Sequence, residues 1–149
     1  MNHATLRDLQ ARRGYPCVSV LINTTPGMVM SADDRQRAVS LLANAGQRLI
    51  GDADDAVRQE LIDALTDELQ ERSVETATAA LGLFAMPGYH NSVRLGRAVS
   101  ERVIIDDTFA TRDLVADLNR TAVFRVVTVS DRSARVLIGR LAGAPVLFF

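Results

Sequence analysis

The chain has no cluster of catalytic residues, no lysine and a single cysteine, Cys17. Without lysine there is no Schiff-base chemistry and no Walker-type phosphate-binding lysine. One cysteine allows neither an internal disulfide framework nor a cysteine metal site. No apolar run approaches the length needed to cross a bilayer, and Asp8 with Arg7, Arg12 and Arg13 is incompatible with a signal peptide. A cytoplasmic setting without a membrane partner is therefore expected. Gly82, Gly88 and Gly96 lack the spacing of the dinucleotide and Walker fingerprints, and no nucleophile-elbow sequence occurs. No catalytic residue, cofactor or metal is assigned on this reading.

What is present describes a folded domain. The 149 residues suit one unit with a substantial core, and a hydrophobic fraction of 48% argues against disorder. All 17 basic residues are arginine, against 18 acidic ones. That balance provides no long-range attraction for nucleic acid, and DNA is not an expected partner, although a local arginine patch is compatible with it. The uniform use of arginine is read as coding bias.

Periodicity supplies the elements. Residues 5–13 carry Leu6 and Leu9 on one side of a short helix, interrupted by Gly14 and Pro16. Cys17–Ile22 alternates apolar residues on both faces and reads as an interior strand, with Cys17 in the core. Ser31 caps a helix bearing Ala38, Leu41, Leu42, Ala45 and Leu49, stopped near Gly51. A second helix from Asp54 or Asp55 carries Val57, Leu61, Ile62, Leu65 and Leu69. Ala79–Met86 reads as a buried strand, Pro87–Ser92 as a turn, and Val93–Leu95 as a return beside the first strand. Val103–Ile105 is extended, and Thr111 caps a helix with Leu114, Val115 and Leu118 inward. Val123–Val129 and Ala134–Ile138 flank the polar turn Ser130–Ser133, a hairpin signal. The expected class is α+β: a mixed sheet of about five or six strands against three main helices, in two or partly three layers. The apolar end, Val146–Phe149, requires either an added strand or a continuation of the chain.

Few residues suggest chemistry. His90 lies in PGYHNS and reads as an exposed loop histidine; a catalytic role would need an oriented carboxylate and a nucleophile that spacing does not supply. Asp106 and Asp107 follow a strand end, where a further oxygen ligand would create a cation or acid–base site. Adjacent residues on an extended chain point apart, which favours local backbone bonding. Arg94, Arg97 and Arg102 cluster around strand ends, and Arg132 and Arg135 flank the hairpin. Each could fork onto a phosphate, and each is also compatible with a solvated sheet edge.

The passage ERVIIDDTFATRDLVADLNR (Glu101–Arg120), followed by FRVVTVSDRSARVLIG, resembles the bacterial members of the archaeo-eukaryotic peptide-chain release factor superfamily, whose relatives include Pelota. The likeness begins at YPCVSVLI. It implies a release-factor-like amino-terminal region over residues 1–120 and, over 121–149, the hairpin that opens the family's central domain, the whole forming one compact unit. It further implies a noncatalytic module associated with the ribosome or structured RNA. The asparagine–isoleucine–lysine–serine motif of stop-codon readers has no counterpart near Gly51–Asp55. Of their tyrosine–cysteine–phenylalanine pattern only Phe109 remains, with Val103 and Ile105 at the other two positions. Phe109 is expected to anchor a helix start. The hydrolytic glycine–glycine–glutamine motif is absent. The competing expectation is a protein-interaction or homo-oligomerisation module, motivated by the apolar end and near-zero charge, with a downstream domain as the other way to cover that end. A hydrolase built on His90, Asp106 and Asp107 is the third.

Overall fold

The computed structural model describes residues 2–130 and 133–142. It has the expected α+β class, with six strands divided between a four-stranded sheet and a separate two-stranded ribbon. The elements are α1 (His3–Ala11), β1 (Cys17–Asn23), α2 (Ala32–Arg48), α3 (Asp55–Ser73), β2 (Ala80–Met86), β3 (Tyr89–Leu95), β4 (Arg102–Asp106), α4 (Arg112–Arg120), β5 (Thr121–Ser130) and β6 (Ser133–Ala142). The larger sheet runs β3-β2-β1-β4, and every neighbouring pair in it is antiparallel. The expected terminal segment Val146–Phe149 lies outside the described residues.

The two apolar faces of β1 explain the layering. Val18, Val20 and Ile22 join Leu81, Leu83 and Ala85 of β2 under α2 and α3, which contribute Ala38, Leu42, Leu61 and Leu65. Cys17 and Leu21 point the other way, with Phe84, Val93 and Leu95, under Leu6 and Leu9 of α1 and Leu114 of α4. A strand that alternates sides in steps of two therefore serves two cores, and the sheet is sandwiched between helix pairs. Cys17 is fully buried, burial pushes its thiol pKa up, and its S–H lies 3.0 Å from the Gly14 carbonyl. That is a packing cysteine with little thiolate character.

The Ser31 cap is present as read, whereas the first helix begins at His3, ahead of the expected residues 5–13. Ser31 caps α2, its Oγ accepting the Asp34 N–H at 3.1 Å. Asn2 caps α1 through Thr5 N–H at 2.8 Å. Phe109 is buried and meets Phe84 edge-on, with centroids 5.6 Å apart and rings at 75°. It anchors the approach to α4, as expected.

Two expectations about β3 are corrected. The turn is only Pro87–Gly88, not Pro87–Ser92, because Gly88 takes φ +74° and closes the reversal in two residues. Tyr89–Ser92 is thereby released to pair, and β3 lies beside β2, not beside β1. The crossover from β3 back to β4 is held by Asn23 at the end of β1. Its side chain donates to Val99 O and accepts from Val99 N, both at 2.8 Å.

Gly82 has a steric reason to lack a side chain. A Cβ there would stand 2.9 Å from Phe84 Cε2 and 3.4 Å from Leu21 Cδ2, and both side chains are fully buried. Gly82→Ala is expected to destabilise the fold by about 1–3 kcal/mol through overpacking. Phe84→Leu should relieve part of that cost, so denaturant titrations of the two single variants and the double variant should be non-additive.

Candidate functional site

The polar residues of β3 belong to an extended side-chain network with α3. His90, Ser92 and Arg94 share the β3 face that looks toward α3, because they stand opposite Ala85, Leu83 and Leu81. Glu68, on α3 and only 8% exposed, receives His90 Nδ1 at 2.8 Å on one oxygen and a hydrogen bond from Ser92 Oγ on the other. Arg72, one turn further along α3, donates Nε to Ser92 Oγ at 2.8 Å. Glu75 then takes Arg72 Nη1 at 3.1 Å and Arg94 Nη1 at 2.9 Å. A buried carboxylate needs such donors, and Glu68 has them.

Thus the oriented carboxylate that spacing did not supply for His90 comes from α3. The nucleophile arrangement does not follow. Ser92 Oγ bonds Glu68 and Arg72, whereas a serine triad requires the hydroxyl on the imidazole. Asp106 and Asp107 lie elsewhere. Asp106 stands opposite Cys17 on β4, and β3 and β4 are the two outer strands of the sheet. Two intervening strands separate His90 from that edge by roughly 14 Å. Asp106 Oδ1 accepts the Asp107 N–H at 2.8 Å, and Asp107 O accepts the Gly14 N–H at 3.0 Å, which is local backbone bonding. Among the described residues, no three His, Cys, Asp or Glu side chains group as metal ligands.

The arginines are dispersed. Arg94 sits on the α2/α3 side of β3 and is paired with Glu75. Arg102 faces the other side of the sheet on β4, opposite Leu21, and is joined to Asp113 of α4. Arg97 lies in the crossover and makes no ion pair among the described residues. These three do not share a surface. Arg132 lies outside the described residues, and Arg135 is exposed on β6 opposite Thr128.

The ribbon is the second distinctive surface. Val127 and Val129 of β5 stand opposite Val136 and Ala134 of β6 and share one face, with Arg125 two residues before Val127. Val126 and Arg135 are on the opposite face. Val127, Val129 and Val136 are 60%, 76% and 60% exposed. Residues 121–142 hold four arginines against one aspartate, whereas residues 1–120 hold thirteen against seventeen acidic residues. Sequence reading placed the hairpin but missed this contrast, which was countable.

Compared with protein-family models and with curated proteins, the chain matches none. No described helix is long and apolar enough to cross a membrane.

Proposed function

We propose that the chain is a noncatalytic recognition module that docks on a partner protein through the β5–β6 ribbon. The supporting observation is the exposure of Val126, Val127, Val129 and Val136 beside Arg125 and Arg135. Protein interfaces combine an apolar centre with arginine and disfavour lysine, and a two-stranded ribbon is only marginally stable unless covered. One face of two ten-residue strands spans roughly 34 Å by 10 Å, well short of the ~800 Å² a standard interface buries per partner. Valines on both faces point to a groove that grips the ribbon from two sides.

A second reading is favoured by the ribbon's excess of arginine: contact with ribosomal or other structured RNA, as the release-factor resemblance implies. The two readings differ in which side chains matter. Ribosome cosedimentation over a salt series and light-scattering mass should be measured for the native chain, Val127→Asp/Val129→Asp and Arg125→Gln/Arg135→Gln. Protein docking predicts association that varies little with salt and is lost in the aspartate variant. RNA contact predicts steep salt dependence, lost in the glutamine variant. Association that survives both pairs of substitutions would sink the assignment to the ribbon.

A further inference from the structure

The two outer strands of the main sheet are protected unequally. Thr24 N–H bonds Ala79 O at 3.0 Å, which places the β1–β2 ladder bonds on the odd-numbered residues of the second strand. The even-numbered residues of β2 therefore bond β3, at Tyr89, Asn91, Val93 and Leu95. The N–H and C=O groups of His90, Ser92 and Arg94 face away from the sheet. The same alternation turns the Val103 carbonyl of β4 outward, and there Arg48 Nη1 covers it at 2.6 Å. No described side chain does this for β3.

Beside that open edge lies a cleft of about 330 Å³. It is bordered by Asn91–Arg94, by Arg72 of α3 on one side of the sheet and by Asn2 and Thr5 at the start of α1 on the other. His90 and Arg94 are exposed and Ser92 is buried between them, and such unpaired ladder groups between two walls match the recognition of an extended peptide by strand addition. Charge selects the peptide. Among the described residues the charged side chains bordering the cleft are Arg72 and Arg94, while their partner Glu75 and the buried Glu68 do not line it. On an added strand, the residue opposite Arg94 projects onto the same face as these two arginines, where an acidic side chain is favoured. We infer that the outer edge of β3 binds an acidic extended segment of another polypeptide as a fifth strand. This surface is separate from the ribbon and does not depend on the function proposed for it.

The test uses the full chain, nitrogen-15 labelled, and capped peptides as long as β3, seven residues. The first alternates threonine and glutamate, and the second replaces glutamate with arginine. Two more are the glutamate peptide N-methylated on one or the other alternate set of amides. Addition of the glutamate peptide should shift the amide resonances of His90, Ser92 and Arg94 and slow their hydrogen exchange. One methylation pattern should weaken binding at least about tenfold and the other should leave it intact, since only one set of amides faces β3. The arginine peptide should bind more weakly, and Arg94→Gln should narrow that preference. Equal binding of both methylated peptides, shifts confined to residues 121–142, equal binding of glutamate and arginine peptides, or no shift with any peptide would each overturn the inference.

Discussion

Phe84→Ala should lower the unfolding free energy by about 3–5 kcal/mol, the range for removing a fully buried aromatic ring. Phe84 is completely buried at the middle of β2 and belongs to the core between the sheet and the α1/α4 layer. It meets Phe109, which in turn lies 5.9 Å from the Tyr89 ring, so the aromatic cluster joins β2, β3 and the loop before α4. Gly82 leaves the space in which the ring rests, and its lack of a side chain limits how far that space can collapse. The loss should therefore fall toward the upper end of the range. Leu61→Ala, in the opposite core, serves as the comparison. Hydrogen exchange should then separate the layers. Phe84→Ala should speed exchange in α1 and α4 before α2 and α3, and uniform acceleration across all four helices would contradict two separately built cores.

The helical layer was legible because its stripes are local. Leu61, Leu65 and Leu69 recur every four residues and are all buried. The interior position of β1 was equally readable, since both of its faces are apolar and both are covered. Strand β3 was obscured for a physical reason. Its inward-facing His90, Ser92 and Arg94 meet the charged side chains of α3, so the usual alternation of apolar and polar residues fails just where the strand begins. Glu68 lies 22 and 24 residues from the groups it holds. No local spacing marks such a partner; only the hairpin register and the packing of α3 on the sheet bring them together. The arginines show the converse. Arg94, Arg97 and Arg102 are neighbours in sequence, but the crossover carries the chain from one edge of the sheet to the other between the first and the last.

Asp34→Ala should cost about 1–3 kcal/mol, because it takes the acceptor from the Thr25 N–H and the carboxylate partner from the half-exposed Arg37. Asp34 is only 2% exposed. Its carboxylate accepts Thr25 N–H at 2.9 Å and Arg37 Nη2 at 2.6 Å, and its backbone N–H rests on the Ser31 cap. Its place in the first turn of α2 was evident from the sequence, whereas its bond to the loop after β1 was not. Arg37 also reaches Asn23 O at 3.2 Å and Glu101 at 3.4 Å, so loss of the carboxylate loosens the clamp between α2, β1 and the crossover. Burial alone would raise the Asp34 pKa. The bonds from Thr25, Arg37 and Ser31 outweigh burial and hold it below the ordinary 3.8. The sign of the pH dependence follows. A carboxyl whose folded pKa is depressed contributes stability that is present above its unfolded value and is lost as pH falls from about 4 through the lower folded pKa. Native chain and Asp34→Asn should therefore be unfolded in denaturant at neutral pH and at intervals below pH 4. The stability gap between them should be widest at neutral pH and shrink on acidification. A gap that stayed constant, or grew in acid, would mean that the Asp34 charge does not hold this corner of the fold.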